Sequence, residues 1–149
     1  MSGNFTVGLI KCGATAFIDT VLRRINEAGL EVVACSGYYI PPRDIDELYA
    51  AHVGKPYWAD LLYSVNRSAV WRLVIKGEDA VKRWRWLMGA TDPKQANGYS
   101  IRGAFGNKEG PIAENAVHGS DSDEAALREL KILFENWAEI IKSRALEVA

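Results

Sequence analysis

The chain contains the stretch Asn115-Ala-Val-His-Gly-Ser-Asp-Ser122, which includes one of its two histidines. The first three residues favour a short buried strand, the glycine permits a sharp turn, and the polar residues after it can cap a helix that begins near Asp123. His118 is therefore expected at a strand end, beside the first turn of a helix. Because helix N-termini favour anionic oxygens, this position suits a nucleophile that receives and releases a phosphoryl group.

Composition predicts one ordinary globular domain over residues 1–149. Of the 149 residues, 48% are hydrophobic and 25% are charged, which fits a single α/β or α+β core. Lys+Arg number 18 against Asp+Glu 19, a net charge of −1. A general attraction to nucleic acid or to an anionic membrane is therefore not expected, and a polyanionic substrate must be bound by a local pocket.

The N-terminus and the cysteines indicate a cytoplasmic protein without a membrane anchor. Residues 1–6 lack the charged and apolar regions of a secretion signal, and no apolar run approaches the roughly 18 residues of a membrane span. Cys12 and Cys35 form no metal-ligand pattern and are too few for a disulfide scaffold. We interpret both as free thiols.

Apolar periodicity and chain-breaking residues divide the chain into strands and helices. Strands are predicted over residues 5–10, 31–40, 69–75 and 115–117. Helices are predicted from about 17 to the stop at 29, over 42–49, 58–65 and 78–88, and from 123 to about 134. Residues 90–98 read as a turn-rich loop, and 104–114 show no clear period. This order is compatible with an α+β, ferredoxin-like split-βαβ sandwich, in which helices cover an antiparallel four-stranded sheet.

The stretch at 115–122 matches Asn-x-x-His-Gly-Ser-Asp-Ser, the active-site signature of nucleoside diphosphate kinases, and the chain resembles this family from Phe5 to about Phe134. The resemblance implies the same ferredoxin-like fold. It also implies ping-pong transfer of the γ-phosphate of a nucleoside triphosphate to a nucleoside diphosphate, through phosphorylated His118. In this family pattern Ser120 helps to orient the ring. Glu129 accepts a hydrogen bond from the imidazole nitrogen that does not receive phosphate, which fixes the tautomer.

Two further segments of the resemblance concern the nucleotide. Ile10-Lys11 matches the family's Ile-Lys, whose lysine reaches phosphate and the ribose hydroxyl. Tyr49-Ala-Ala-His52 and Gly54-Lys-Pro-Tyr-Trp58 resemble the segment that provides a phosphate-side tyrosine, Tyr49, and the ring on which the base stacks, Tyr57. Leu61 completes the slot around the base. We interpret His52, which has no carboxylate or metal-ligand neighbour in the sequence, as structural.

The phosphate-binding arginines belong to two more segments. Arg85 to Pro93 fits the family's Arg-x-x-x-Gly-x-Thr-x-Pro, and Ile101-Arg-Gly103 fits its Ile-Arg-Gly. The resemblance implies that Arg85, Thr91 and Arg102 hold the β- and γ-phosphates. The implied nucleotide-binding set also includes Ile112, and Asn115 at the ribose. Mg²⁺ is the implied cofactor, with Asp121 binding it through water. Family members form homo-oligomers, hexamers or tetramers, so an oligomer is implied here too.

The sequence departs from the family pattern in two loops. Lys11 is followed by Cys12-Gly-Ala14 instead of Pro-Asp-Gly, in a loop that is shorter by about one or two residues. The stretch 106–114 is longer than is typical, and Ala104 replaces a common aspartate. An alternative interpretation is therefore a nucleotide-binding regulatory module of the same fold with weakened transfer. The basic and aromatic run Lys82–Trp86 suggests nucleic-acid binding, which the near-neutral net charge makes unlikely.

Overall fold

The computed structural model describes residues 3–149. Met1 and Ser2 lie outside the described residues, and they belong to the N-terminal stretch that is predicted to lack a secretion signal. The strands are β1 (Phe5–Ile10), β2 (Glu31–Tyr38), β3 (Val70–Lys76) and β4 (Val117–Gly119). The helices are α1 (Ile18–Glu27), α2 (Pro42–Leu48), α3 (Trp58–Asn66), α4 (Ala80–Met88), α5 (Ile101–Phe105), α6 (Asp123–Leu133) and α7 (Trp137–Ser143). Short 3-10 turns cover Cys12–Phe17 and Ala50–His52.

The strands form a four-stranded sheet in the order β2-β3-β1-β4, and each neighbouring pair is antiparallel. This confirms the predicted α+β, ferredoxin-like architecture. Alternate side chains of the central strands β1 and β3 enter cores on opposite faces of the sheet. One core contains Val7 and Leu9 with buried residues of α2, α3, α6 and α7. The other contains Ile10 and Leu73 with buried residues of α1, α4 and α5.

The pairing of β1 with β4 forms the edge of the sheet that carries His118. Leu9 lies opposite His118, and Ile10 lies opposite Val117. Lys11, the first residue after β1, continues this contact because its backbone N–H donates to the carbonyl of Ala116 at 2.8 Å. The register therefore places the predicted lysine and the predicted nucleophilic histidine on adjacent segments.

Strand β4 begins later than predicted. The prediction covered 115–117, whereas the extended residues are Val117–Gly119. Ala116 has a φ of 71°, which an extended strand cannot accommodate, so the strand can begin only after it. His118 therefore lies within the strand and not beyond its end.

Two helices were not predicted. Helix α5 has only five residues, too few for a helical period, and its start is capped by Ser100 Oγ, which accepts a bond from the N–H of Gly103. Helix α7 was missed because 135–149 carries a weak apolar pattern, although Ile140 is buried in the core.

Candidate active site

A cleft of about 1150 Å³ opens beside β4 and collects nearly all of the predicted site residues. The predicted residues that line it are Lys11, Tyr49, Tyr57, Leu61, Arg85, Thr91, Arg102, Ile112, Asn115, His118, Asp121 and Glu129. Ser120, the remaining predicted residue, is fully buried behind the cleft wall. Elements far apart in the chain thus converge on one concave surface, the usual form of a small-molecule site.

The imidazole of His118 is held by a buried carboxylate. Nε2 of His118 lies 2.6 Å from Oε1 of Glu129, whose side chain is only 4% exposed. With the carboxylate as acceptor, Nε2 carries the proton and Nδ1 keeps its lone pair. The geometry therefore leaves Nδ1 as the nitrogen that can act as a nucleophile.

The carboxylate is itself supported from behind. The hydroxyl of Ser120 lies 3.2 Å from Oε1 of Glu129 and 3.3 Å from the carbonyl of Val7 on β1. Ser120 therefore contacts the carboxylate that holds the imidazole, and its role in orienting the ring stays a prediction. On the backbone side, Nε1 of Trp84 donates to the carbonyl of His118 at 3.2 Å. The histidine is fixed at both its ring and its main chain.

Lys11 is a buried cation at the floor of the cleft. It is only 4% exposed, and its Nζ donates to the carbonyl of Ala113 at 3.0 Å. Burial, and then the positive charge of Arg102, lower the pKa of Lys11 to about 7. An anion placed beside this amine would favour its charged form.

The two predicted arginines differ in their surroundings. Arg102 donates to the carbonyls of Gly89 at 3.1 Å and Val117 at 3.0 Å, and burial lowers its pKa to about 10. Arg85 is half exposed and pairs with Asp121, with Nη1 and Oδ1 2.6 Å apart. Arg102 is therefore a fixed, partly buried donor, whereas Arg85 can exchange its exposed partner for a ligand oxygen.

The cleft contains buried polar atoms that lack protein partners. Among residues 3–149, four buried side-chain polar atoms have no hydrogen-bond partner, and three of them belong to the predicted site: Tyr49 Oη, Arg102 Nε and Asn115 Oδ1. Buried polar atoms are normally paired, so this concentration indicates a polar ligand. The ring of Tyr49 also packs edge-on against His118, with centroids 5.2 Å apart.

An apolar slot forms the outer part of the cleft. Tyr57 and Ile112 are 46% and 55% exposed. Leu61, on α3, is buried and lines the cleft. The hydroxyl of Tyr57 lies 2.6 Å from Nδ1 of His52, which also lines the cleft. This contact supports a predicted base-stacking ring and is compatible with the structural interpretation of His52. No sequence signal indicated this contact, because a hydrogen bond across a turn leaves no periodic pattern.

The cleft has few groups for a metal ion. Among the described residues, no cluster of three or more histidine, cysteine or acidic side chains is arranged to hold one. Asp121 is 82% exposed and lies next to Arg85 at the cleft. An exposed carboxylate such as Asp121 fits Mg²⁺ that arrives on substrate phosphates, because this ion keeps several waters and needs few protein ligands.

The structure separates the side chains of the basic and aromatic run. Trp84 is fully buried, Arg83 donates to the carbonyl of Glu78, and Arg85 lines the cleft. Trp86, in contrast, is 80% exposed. These residues do not share one basic surface. Within residues 3–149, no helix is long and apolar enough to cross a membrane.

Comparisons with known proteins agree with this geometry. The family model for nucleoside diphosphate kinase matches residues 4–138. The chain is 37% identical to nucleoside diphosphate kinase 2 of Protochlamydia amoebophila, over 88% of this chain and 91% of that protein. It is 37% identical to the Bdellovibrio bacteriovorus nucleoside diphosphate kinase, over 91% of this chain and 95% of that one.

Solved structures give the same result. The Aquifex aeolicus nucleoside diphosphate kinase superposes with a TM-score of 0.82 at 30% identity, covering 89% of this chain and 96% of that one. The Halobacterium salinarum enzyme, solved in complex with CDP, also gives a TM-score of 0.82, at 31% identity, covering 89% of this chain and 88% of that one. Both sequence and fold are thus similar over most of the chain.

Proposed function

This chain belongs to the nucleoside diphosphate kinase family and is a nucleotide phosphotransferase, and we propose that the transferred phosphoryl group passes through Nδ1 of His118. The observation that carries the proposal is the 2.6 Å contact between His118 Nε2 and Glu129, in a cleft that also holds Lys11, Arg85 and Arg102. The contact leaves one ring nitrogen available, and the cations face the space where phosphates would lie.

The reaction proceeds in two balanced halves. The Nδ1 lone pair of His118 forms a bond to the γ-phosphorus of the triphosphate, and the bond to the bridging β-phosphate oxygen breaks. The diphosphate leaves with that electron pair. Glu129 stabilises the positive charge on the phosphorylated ring through Nε2–H. A second diphosphate then attacks the phosphohistidine by the reverse path and leaves as a triphosphate.

The other residues act by position and charge. Lys11, Arg85 and Arg102 offset charge on the transferring phosphoryl oxygens. Thr91 and Tyr49 complete the phosphate side. The unpartnered Nε of Arg102 and hydroxyl of Tyr49 support these roles, since phosphate oxygens would give both a partner.

The nucleoside occupies the outer cleft. Its base stacks on Tyr57 between Leu61 and Ile112, and such stacking tolerates every base. Asn115 contacts the ribose, for which its unpaired buried Oδ1 is available. The CDP complex of the similar Halobacterium salinarum enzyme supports a nucleotide in this cleft.

We also propose that the protein uses Mg²⁺ and assembles as an oligomer. Mg²⁺ supplies further positive charge to the phosphates when it is bound, and Asp121 would hold it through water. We further propose that residues 1–149 form one domain, that the protein is a cytoplasmic homo-oligomer, and that this oligomer is a hexamer or a tetramer. Light scattering on the purified protein would measure the oligomer size.

Labelling with γ-labelled ATP tests the nucleophile. The wild-type protein should take up label that is lost in acid and survives alkali, and then pass it to an added different diphosphate. His118→Ala should take up no label, because Nδ1 is the attacking atom. His52→Ala, which removes the other histidine of the chain, should still be labelled.

The labelling experiment also distinguishes the proposed kinase from the alternative function, a regulatory module. A nucleotide-binding regulatory module would bind ATP but would neither hold label nor transfer it. Stable labelling of His118→Ala would disprove the assignment of the nucleophile.

A further inference from the structure

We propose that an ion pair between Arg67 and Glu114 positions Lys11 for phosphate binding, and that both are positioning residues of this enzyme. The inference rests on the proposed role of Lys11 in the phosphotransfer. It concerns the two loops in which the chain departs from the family pattern, the short one after Lys11 and the long one before Asn115.

The ion pair is bidentate and anchored on α3. Nη1 of Arg67 lies 2.6 Å from Oε1 of Glu114, and Nη2 lies 3.0 Å from Oε2. The two side chains are 25% and 14% exposed, so solvent screens the pair less than a fully exposed one. Arg67 also donates to the carbonyl of Tyr63 at 3.1 Å, and its guanidinium lies over that ring at 4.7 Å. The arginine is therefore a rigid anchor.

Glu114 is the residue that closes the long loop. Its carbonyl accepts from the N–H of Asn107 at 2.8 Å, and its own N–H donates to the carbonyl of Pro111 at 3.0 Å. The adjacent residue, Ala113, provides the carbonyl that accepts from Lys11 Nζ at 3.0 Å. Tying Glu114 to Arg67 thus fixes the backbone group that holds the amine of Lys11.

Gly13 in the short loop leaves the space that the ion pair fills. A Cβ at this position would lie 2.9 Å from Nη2 of Arg67 and 3.1 Å from Oε2 of Glu114. Any larger residue would displace the ends of both side chains and so disturb the pair. The short loop, the long loop and α3 therefore meet at one contact. Gly13 is two residues from Lys11, and Glu114 is one residue from Ala113, the two partners in the Lys11–Ala113 bond.

The pair also affects the charge of Lys11. The ionisable groups that act on this amine are Arg102, which lowers its pKa, and Glu114 and Cys12, which raise that pKa against the larger effect of burial. Glu114 therefore favours the charged amine that binds phosphate. Arg67 fixes where that carboxylate lies.

Nucleotide exchange by four variants tests the inference. Arg67→Ala and Glu114→Gln should each lower kcat/KM about 10- to 100-fold, the effect of misplacing a binding group by roughly 1 Å. The inverted variant, with Arg67→Glu and Glu114→Arg together, should recover part of the loss. Arg23→Ala is the matched control, because it breaks an exposed pair with Glu27 (N–O distance 3.8 Å) whose residues do not line the cleft, and it should keep wild-type kinetics.

The pH profile separates positioning from a merely structural role. Activity that needs charged Lys11 falls as pH rises through the pKa of this amine, and Glu114→Gln removes a charge that raises that pKa. In Glu114→Gln the alkaline limb of the pH–activity profile should therefore move to lower pH. In Arg67→Ala, which keeps the carboxylate, this limb should not move to lower pH. Wild-type kinetics in both variants would overturn the inference, as would lost activity with an unmoved limb in Glu114→Gln. Failure of the wild-type protein to exchange phosphate would instead refute the proposed function.

Discussion

At the scale of single residues, the site depends on a carboxylate that is buried from solvent. Glu129 is 4% exposed at its side chain, and its neighbours Ser120 and His118 both contact Oε1. Burial and these two contacts restrict the rotamers of the Glu129 side chain, so the carboxylate holds one imidazole tautomer. The ring nitrogen of His118 that stays free for the proposed transfer is thus set by the contact of Nε2 with Glu129.

Glu129→Ala should slow phosphoryl transfer by about 10²- to 10⁴-fold, the range typical of a positioned proton-accepting group. Nucleotide affinity should change little, because Glu129 supports the histidine and is proposed to touch no phosphate. Single-turnover transfer from labelled ATP measures the first quantity, and equilibrium binding of a diphosphate measures the second.

Ser120→Ala gives a graded comparison for this prediction. It leaves the carboxylate in place but removes a hydroxyl 3.2 Å from it, so the rate should fall by less than in Glu129→Ala. Full turnover in Glu129→Ala, or a loss confined to binding, would show that the carboxylate does not support the histidine.

The sequence resemblance was sufficient to predict most of the residues that gather at one cleft. The predicted site residues other than Ser120 all line one cleft. It was not sufficient to find Arg67 and Glu114, which are 47 positions apart and whose contact exists only in the folded chain. Neither residue belongs to a matched motif. The partner of His52 was likewise invisible, because a hydrogen bond across a turn leaves no periodic signal.

At the scale of secondary structure, β4 and α4 must approach closely for His118 to reach the cleft. Gly119 permits this approach. A Cβ on Gly119 would lie 2.6 Å from both Cδ1 of Trp84 and Cε of Met88, and these two side chains are at most 1% exposed. The same tryptophan donates to the carbonyl of His118, so the packing and the position of His118 depend on one side chain.

Gly119→Ala should therefore destabilise the fold by about 1–3 kcal/mol, the usual cost of overpacking a core. It should also lower the rate of phosphoenzyme formation, because relief of the clash displaces either Trp84 or β4. Denaturant unfolding and labelling by ATP measure the two effects. Gly98→Ala is the control, since a Cβ at Gly98 meets nothing within 4 Å. Equal stability of the two variants would contradict the close-approach argument.

Elements with strong periodicity were the ones that the sequence predicted. The strand at Phe5–Ile10 and the helix at Trp58–Asn66 agree with prediction within a residue. The start of β4 was wrong because Ala116 adopts a positive φ, a conformation that is rare for alanine and depends on tertiary contacts. Helix α5 was missed because five residues depend on a cap and on packing for their stability.

At the scale of the whole molecule, a net charge of −1 coexists with a cleft that gathers Lys11, Arg85 and Arg102. Binding of a polyanion therefore depends on local arrangement and not on the overall charge.

Residues near the two ends of the described chain contact the rest of the fold and each other. Asn4 Oδ1 accepts from the backbone N–H of Glu147 at 2.6 Å, and Gly3 N–H donates to the carboxylate of Asp123 at 3.1 Å.

The C-terminal segment completes the core beyond the region that matches the family, which ends at residue 138. Ile140 on α7 and Leu146 after it are 6% and 7% exposed, and both belong to the core that contains β1 and α6. Because residues of α7 do not line the cleft, this segment should contribute to stability without taking part in the chemistry.

Ile140→Ala should accordingly lower the free energy of unfolding by about 2–5 kcal/mol, the range for truncating a buried isoleucine. The melting temperature should fall, while labelling of His118 by ATP well below that temperature should remain at the wild-type level. Val148→Ala is the matched control, because Val148 is 46% exposed and its truncation removes little buried area. Unfolding of Ile140→Ala at the wild-type midpoint would show that α7 is dispensable to the core. Loss of labelling in a stably folded variant would show that the C-terminal segment acts on the site itself.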